Sequence, residues 1–568
     1  MTTASAGQPA MHRTGILSQR LDGWTLATIA IALLASVPVV SVAVIASGPS
    51  GGVWQHLAET VLPLYVRTTL ALMTGVGVGT FLVGTGAAWL VTMYRFPGRR
   101  LLEWGLLLPL AMPAYVAAYV HTDLLEYAGP VQSWLREVFD WRRPTDYWFP
   151  EIRSLSGAIV VMTLVLYPYV YLLARAAFLD QTRGVLEASR TLGRGPLVTF
   201  LTVSLPMARP AIVVGVSLAM METLNDFGTV HFFAVPTFTA GIFDVWVNMG
   251  SAPAAAQMAC VLLLFVVALV TLERGARRGR RYHQAGRAGA PVPRRILPRG
   301  LGWLAGLACL LPVGLGFLLP AAVLVEYATR NYGVALAAQF PAYALNSLTL
   351  SGTAALVAVV VGTFMAYGGR LSGSPVLKGA ARLASLGYAV PGAILAIGVI
   401  VPTAWFDNRV DAAARALFGL PTGLVVSGSM LILVIGFVVR FLALSYGAME
   451  AGLTRITPNM DGAARTLGAG PAGLLRRVHL PLLRSSLTTA GLLVFVDSMK
   501  ELPMTLILQP FNFGTLATFV HQYAADERFE QSAIGALTIV AVGMLPVIAL
   551  NRAMDAQRQR PAAARTVP

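Results

Sequence analysis

EASRTLGRGPLVTFLTVSLPMARPAI occupies Glu187–Ile212, and GAARTLGAGPAGLLRRVHLPLLRSSL occupies Gly462–Leu487, 275 positions further along a chain of 568 residues. The two stretches align without gaps, and 11 of the 26 positions are identical. Each is a polar, arginine-bearing segment between long apolar runs. The pattern indicates two homologous halves, each of which presents the same polar segment at the same membrane face.

The composition is that of an integral membrane protein. The chain is 56% hydrophobic and only 12% charged, with a mean hydropathy of +0.68. A soluble chain of this length needs far more charge. The two cysteines, Cys260 and Cys309, both fall in apolar segments and give neither a metal-ligand spacing nor a disulfide framework.

The net charge of +16 would suggest nucleic acid in a soluble protein, but its distribution here indicates membrane topology. Nine arginines lie between Arg274 and Arg299, and others mark both repeats and the C-terminal tail. Cytoplasmic loops of multi-span proteins carry such an excess. We therefore expect a lipid bilayer and no nucleic acid as partner, with both termini in the cytoplasm.

Apolar runs of about 20 residues predict membrane-spanning helices, the structure that satisfies every backbone group in lipid. We expect six spans in each half. They lie near 24–46, 66–92, 101–120, 157–178, 210–231 and 254–272, and near 301–326, 346–369, 383–403, 422–446, 486–508 and 533–551.

This pattern divides the chain into two parallel repeats with basic flanks. The predicted units are a cytoplasmic tail (1–23), the first repeat (24–272), an exposed, flexible basic linker (273–300), the second repeat (301–551) and a C-terminal cytoplasmic tail (552–568). The predicted fold is an all-α integral membrane protein of about 12 transmembrane helices in two six-helix repeats.

The repeated segment predicts a helix–turn–helix that protrudes from the membrane. Small residues followed by Gly193 or Gly468 allow a short helix and a sharp turn. Pro206 and Pro481 end a second short helix before the next span. Such a device is suited to docking in a groove of another protein.

This segment resembles the EAA loop of ABC-transporter permeases of the type I importer class, at 187–206 and again at 462–481. The resemblance covers nearly the whole chain and implies that each loop docks on one of two copies of a separate ATPase. The implied coupling residues are Glu187, Ala188, Gly193, Leu205 and Pro206 in the first loop, and Asp461, Ala463, Gly468, Leu480 and Pro481 in the second. Gly462 stands where the glutamate belongs, so we expect asymmetric docking.

The chain has no ATPase site of its own. A phosphate-binding loop of the G-x-x-x-x-G-K-[ST] type needs a lysine followed by Ser or Thr. The only lysines are Lys378, followed by Gly, and Lys500, followed by Glu. We therefore expect no catalytic residue and no cofactor bound by this chain, with ATP used by the partner subunit.

Charged residues in the fifth spans predict a translocation pathway. Glu222 aligns with Asp497 and Asp226 with Glu501, and each acidic pair is four residues apart, on one helical face. A charge at membrane depth costs on the order of 3 kcal/mol and usually faces the interior of a bundle. Lys500 neutralises only one of the four carboxylates. The alternative is that these charges merely lock two helices together.

Charged and histidine side chains beyond these spans receive a simpler interpretation. We expect His231, Asp244, His521, Asp526 and Glu527 to be isolated surface residues.

The stretches ETLNDFGTV (222–230) and DSMKELPMTLILQPFNFGTLA (497–517) resemble the fused, two-repeat permeases of ferric-iron ABC importers. That resemblance implies Fe(III) delivered by a periplasmic binding protein to a multi-pass permease of the bacterial inner membrane. Carboxylates are compatible with hard Fe(III), but no metal ligand is firmly assigned. Permeases for thiamine, polyamine, phosphonate, sulfate or molybdate share the architecture and remain alternatives. A proton-coupled secondary transporter would use the same carboxylates but leaves the two loops unexplained.

Overall fold

The computed structural model describes residues 23–181, 187–189, 191–278, 294–333, 340–372 and 374–563. Ten of its helices are long and apolar enough to cross a membrane. Two further pairs reach the same length but are bent, by 95° at Met112–Pro113 and by 75° at Leu483. The predicted all-α membrane fold is confirmed, and counting each bent pair as one span gives the predicted twelve.

The first half contains twelve α-helices among the residues described. They are α1 (Gly23–Ala46), α2 (Val53–Thr60), α3 (Leu62–Met93), α4 (Arg99–Gly105), α5 (Ala114–Leu125), α6 (Pro130–Phe139), α7 (Leu155–Leu179), α8 (Pro196–Thr199), α9 (Leu205–Asn225), α10 (Gly228–Phe232), α11 (Phe238–Val247) and α12 (Ala252–Arg278). Short 3-10 turns lie at Leu108–Ala111 and Pro144–Asp146, and a π turn at Phe200–Ser204 joins α8 to α9.

The second half repeats this order. Its helices are α13 (Arg299–Val313), α14 (Leu319–Arg330), α15 (Phe340–Ser372), α16 (Pro375–Ala384), α17 (Gly392–Phe418), α18 (Met430–Thr454), α19 (Pro458–Thr466), α20 (Pro471–Leu474), α21 (Leu480–Leu482), α22 (Arg484–Met499), α23 (Pro503–Leu508), α24 (Leu516–Ala525) and α25 (Ala533–Ala563). π turns lie at Gly314–Leu318 and Leu475–His479, and 3-10 turns at Ser385–Ala389 and Phe529–Ser532.

The two halves match residue by residue around the repeated loops. Adding 275 to the bounds of α7, α8 and the first π turn gives those of α18, α20 and the second π turn. The same separation relates the start of α10 to that of α23. The sequence duplication is thus a duplication of backbone geometry, including an unusual π turn in each copy.

Three spans of the second half differ from the prediction, and one of them, expected at 486–508, is interrupted between Met499 and Pro503. The span expected at 422–446 is the helix Met430–Thr454, because residues 420–424 are not helical and Ser429 caps the helix by accepting a hydrogen bond from the Leu431 amide. The span expected at 383–403 is interrupted before Gly392. Val390, which precedes Pro391, is extended, as the proline ring requires.

The third and fifth spans of half one are also broken. The segment expected at 101–120 turns at Pro113, and the helix expected at 210–231 ends at Asn225. Apolar periodicity does not reveal such breaks, because the residues on both sides of each break remain suitable for a membrane.

The two halves are interlocked. Helix α1 packs against α16 and α17 of half two, while α13 and α14 pack against α4 and α5 of half one. The largest core cluster combines residues of both halves, such as Tyr119 and Phe519. Large side chains such as Leu34 and Leu82 are exposed on spanning helices, as expected for surfaces that face lipid.

Part of the basic linker is ordered against half one. Strands β1 (Tyr94–Arg95) and β2 (Arg295–Ile296) pair in parallel, and the Arg294 Nε donates to the Thr92 carbonyl over 3.2 Å. Arg295 and Ile296 are exposed, as predicted for the linker, but this pairing fixes their backbone against half one. Residues 279–293 lie outside the described part of the chain.

Candidate translocation cavity and coupling loops

The fifth span of half one breaks at a carboxylate. Helix α9 ends at Asn225, and the Asp226 carboxylate then accepts hydrogen bonds from the backbone amides of Thr229 (3.0 Å) and Val230 (3.2 Å). Its second oxygen accepts from the Thr229 hydroxyl over 3.0 Å. Asp226 therefore caps α10, a role that a short polar side chain performs at a helix start.

The fifth span of half two is interrupted at the matching position, where the carboxylate of Glu501 has a different hydrogen-bond partner. The Glu501 carboxylate accepts from the Met504 amide over 3.1 Å, which caps α23. It also accepts from the guanidinium of Arg440 over 3.0 Å, and both side chains are only 7% exposed. The predicted continuous helical face does not exist, because Asp226 and Glu501 lie in the breaks and not on the helices.

All five predicted pathway residues nevertheless line one central cavity of about 120 Å³ between the halves. Half one contributes Glu222 and Asp226, and half two contributes Asp497, Lys500 and Glu501. Tyrosines from three different helices or turns complete the polar lining, and they are Tyr115, Tyr169 and Tyr388. The breaks thus direct charged groups and backbone ends into a shared space.

Arg440 is the functional candidate that sequence reasoning missed. It projects from the middle of α18 into the cavity. A sequence signal was present, since Arg440 interrupts the apolar run MLILVIGFVVRFLAL, and an intramembrane arginine marks a functional or paired position.

The cavity charges are distributed unequally between the halves. Lys500 pairs with Asp497 over 3.2 Å and Arg440 pairs with Glu501, so both cations belong to half two. At the matching positions half one has Asn225 and Val165. Among the described residues, Glu222 and Asp226 have no cationic group within 4.0 Å, which leaves a formal excess of two negative charges in the cavity.

Several polar atoms of the cavity wall have no hydrogen-bond partner within the described part of the protein. They are the Tyr115 hydroxyl, the Asn225 side-chain carbonyl and the Arg440 Nε. Buried polar groups are normally satisfied, so such a cluster is typical of a site that receives a polar ligand or water. Among all the residues that the structure describes, no group of three or more His, Cys, Asp or Glu side chains could hold a metal ion.

Both repeated loops contain the predicted sharp turn. Gly193 and Gly468 have φ angles of +74° and +83°, in the left-handed region that favours glycine. The amide after each glycine donates back into the preceding helical turn, from Arg194 to the Ser189 carbonyl and from Ala469 to the Ala464 carbonyl. The turn is followed by a proline that begins α8 or α20.

The predicted coupling residues occupy different environments. Leu205 and Leu480 follow the π turns, and each is followed by its proline, Pro206 or Pro481. The predicted end of a short helix at Pro206 is wrong, because Pro196–Asn225 runs through the π turn as one helical segment. Ala188 and Ala463 are exposed, and Glu187 is partly buried.

The tip of each loop also exposes a leucine that the sequence reading did not single out. Leu192 is 75% exposed and Leu467 is 88% exposed, at matching positions just before the glycine of the turn.

Asp461 lies inside the second loop and does not face outward. Its carboxylate accepts from Arg370 over 2.8 Å and contacts the His479 Nε2 over 2.9 Å. Burial by itself would raise the pKa of Asp461, but these two contacts outweigh it and the net pKa is lowered. Asp461 is therefore ionised at neutral pH, and it stabilises the loop from within through these two contacts.

Comparison with known proteins identifies the family. The model of the binding-protein-dependent transport system inner membrane component matches the chain twice, at residues 80–280 and 358–560. The chain belongs to this family. Its members are inner-membrane transport permeases and not ATPases, so the chain is a multi-pass inner-membrane permease with two copies of the family's unit.

Individual relatives differ in cargo. The chain is 25% identical over 500 residues to the Fe(3+)-transport system permease protein FbpB 2 of Haemophilus influenzae, covering 86% of this chain and 89% of that protein. It is 30% identical over 239 residues to the sulfate transport system permease protein CysT of Escherichia coli, covering 40% of this chain and 82% of the relative. The molybdenum transport system permease protein ModB of Escherichia coli is 29% identical over 207 residues, covering 36% and 85%.

The remaining polar candidates are mostly at the surface, with one exception. His231, Asp526 and Glu527 are exposed and Asp244 is partly buried. His521 was predicted to be a surface residue, and this is wrong. It is 8% exposed, and its Nδ1 lies 2.6 Å from the Tyr119 hydroxyl, because α24 packs into the core shared by the halves.

Proposed function

We propose that this chain is the membrane subunit of an ABC importer for a cation, with ferric iron as the cargo best supported. Family membership implies a separate ATPase and a substrate-binding protein. We further propose two ATPase copies, one at each repeated loop, and a periplasmic binding protein at the opposite face. In this arrangement the loops and both termini are cytoplasmic.

The negative charge of the central cavity carries the proposal. Four carboxylates and two cations leave an excess of two negative charges in a site of low dielectric constant, where charge is weakly screened. Such a cavity stabilises a cation in transit and repels an oxyanion. This favours iron over sulfate or an oxyanion of molybdenum; sulfate and molybdenum are named for two relatives that match 40% and 36% of this chain.

The absence of a chelating cluster among the described residues fits a passage that does not retain its cargo. Three clustered ligands would hold Fe(III) tightly, whereas transport needs rapid release into the cytoplasm. Glu222 and Asp226, which have no contacting cation among the described residues, supply long-range attraction without a closed coordination shell.

The same charge argument keeps a polyamine as the second candidate, because the cavity attracts any cation. Thiamine is weakly favoured for the same reason, and a phosphonate is disfavoured. A proton-coupled carrier is not favoured, because membership in a binding-protein-dependent family accounts for both repeated loops and a secondary carrier accounts for neither.

ATP would act through the loops in this scheme. Leu192 and Leu467 lie at the tips and would dock in grooves of the ATPase subunits, which move together on binding ATP. Each loop continues through a π turn into the fifth span, whose far end contributes the cavity carboxylates. A movement of either loop is thereby carried towards the cavity along one continuous segment of chain.

Uptake of radiolabelled ferric iron tests the cargo. Cells with and without this chain are compared, with excess spermidine, thiamine, phosphonate and sulfate as competitors. Loss of iron uptake without the chain, restored by the chain and unaffected by the competitors, is expected. Unchanged iron uptake would reject iron, and an effective competitor would identify the cargo that replaces it.

A further inference from the structure

The second repeated loop is attached to its own half by a buried network of charged and polar groups. Arg370, near the end of α15, donates through Nε to Asp461 and through its two terminal nitrogens to the carbonyls of Leu453 (2.5 Å) and Ile456 (2.8 Å). Arg370 thus joins three segments: α15, the end of α18 and α19. A planar guanidinium with several fixed donors is well suited to this task.

His479 and Tyr367 extend the network to the second part of the loop. His479 is fully buried in the π turn and contacts Asp461. The Tyr367 hydroxyl donates to the Pro471 carbonyl over 2.6 Å, and its ring meets the His479 ring at 5.4 Å. Both arms of the helix–turn–helix are therefore bound to α15.

Half one has neutral residues at each matching position. The contacts of the far ends of α3 and α15 relate these helices by 278 positions, since Thr69 accepts from the Phe238 amide as Ser347 accepts from the Leu516 amide. By that alignment Thr92 replaces Arg370, and by the 275 separation Leu186 and Ser204 replace Asp461 and His479. All three charged or ionisable members are absent from half one together.

The first loop is packed by apolar rings instead. Trp89, at the position of Tyr367, meets the Phe200 ring at 4.8 Å and the Phe178 ring at 5.4 Å. The described polar contacts of this loop include the Ser189 and Thr199 hydroxyls at 2.9 Å and the Gln181 side chain, which donates to the Ser204 carbonyl over 2.8 Å. Half one also has a different buried ion network, Arg99–Glu103–Arg175, which joins α4 to the end of α7.

Helix α15 continues from the loop to the opposite end of the half. It has 33 residues and is therefore about 50 Å long. About one third of the way from its far end, the Ser351 hydroxyl contacts the sulfur of Met499 (3.8 Å), the residue that precedes the cavity lysine Lys500. At the far end, Asn346 donates to the Gly514 carbonyl over 3.0 Å. One rigid element thus contacts the loop, the cavity helix and the far face.

We propose that the Arg370–Asp461–His479 network makes the second loop and α15 move as one body, so that ATP-driven movement of this loop reaches the far face through α15. These three are positioning residues. The inference rests on the proposed function, because it assumes that an ATPase moves the loops.

The test uses a complete complex of this chain with its ATPase subunits in lipid nanodiscs. A fluorescent probe is attached at Leu345→Cys, an exposed position at the far end of α15, with Cys260 and Cys309 replaced by alanine. The signal is the change in probe fluorescence on adding ATP and vanadate. The variant R370T/D461L/H479S gives half two the residues of half one. We expect its signal change to fall by roughly fivefold or more, the lower range of measured couplings between sites.

Matched controls separate transmission from folding. A probe at Arg67→Cys, the matching position on α3, is expected to respond equally with and without the triple variant. D411N removes a charge from the Arg415–Asp411 pair away from the loops and should leave the Leu345 signal unchanged. If the triple variant does not insert, H479S and H479Q replace it. Glutamine retains an N–H donor for Asp461, so H479Q should keep a signal that H479S reduces.

The outcomes are distinct. Equal signals from the wild-type and triple-variant complexes would overturn the network's role while leaving the importer intact. Equal loss at the Arg67 and Leu345 probes would also overturn it, because it would show general unfolding of both halves. If the wild-type chain captures no ATPase, the proposed function itself fails.

Discussion

The two halves share a backbone but divide the charges between them. Half one places two carboxylates in the cavity without a cation in contact, whereas half two places two carboxylates there and pairs both, with Lys500 and Arg440. At the loops, the Arg370–Asp461 pair of half two has no charged counterpart at the matching positions of half one, where aromatic rings pack and a different buried ion network, Arg99–Glu103–Arg175, lies at the end of α7. The two halves therefore share one backbone arrangement but stabilise it with different charged groups.

The variant Arg440→Val gives half two the residue that half one has at the matching position, Val165, and it should have the largest effect on stability. The change leaves Glu501 buried without its cation, and removal of one partner of a buried pair costs about 3–5 kcal/mol. Thermal unfolding of the purified protein in detergent should show a large decrease in stability. The double variant R440V/E501Q should recover most of it, because glutamine still accepts from the Met504 amide. A double variant as unstable as R440V would contradict the pairing.

Neutralising the aligned carboxylates tests the cavity charge. The variant E222Q/D497N removes the negative excess, and we expect cation uptake to fall about tenfold, equivalent to about 1.4 kcal/mol. Capture of the ATPase should be unchanged. The control K500N gives half two the residue of half one, Asn225, increases the negative excess and should retain uptake. If E222Q/D497N fails to accumulate in the membrane, the alternative that these charges lock two helices is the better one.

The smallest predicted effect is at the shared turn. Gly193→Ala and Gly468→Ala place a Cβ in the left-handed region, at a cost of about 1 kcal/mol each, although no atom lies within 4 Å to clash. ATP-driven uptake should decrease modestly and similarly in both variants, with normal insertion. Gly195→Ala and Gly470→Ala are the matched controls, since both have ordinary φ angles and open surroundings. A marked effect in only one of the two turns would show that the loops do not share this device.

The sequence predicted what depends on local pattern. Apolar runs indicated most spans, and the spacing that the two repeats share around Gly193 and Gly468 predicted both sharp turns. It missed the breaks at Asp226 and Glu501, because a carboxylate four residues after another also fits a continuous helix. Only tertiary packing brings Arg440, 61 positions earlier, to Glu501. The packing of α1 against half two likewise could not be predicted from the sequence.

The coupling loops show the same limit. Asp461 was expected at the loop because it precedes the position of the missing glutamate. Its inward direction depends on Arg370, 91 positions earlier in the chain, and on His479 in the π turn. A sequence pattern places such a residue on a loop, but tertiary contacts determine whether its side chain points inward or outward.

Native mass spectrometry of the complex purified through this chain tests whether the chain carries two docking loops for a separate ATPase. We expect one copy of the chain with two copies of the ATPase, and cysteine crosslinks to that ATPase from both Leu192→Cys and Leu467→Cys. A complex without ATPase, or crosslinks from neither loop, would contradict it.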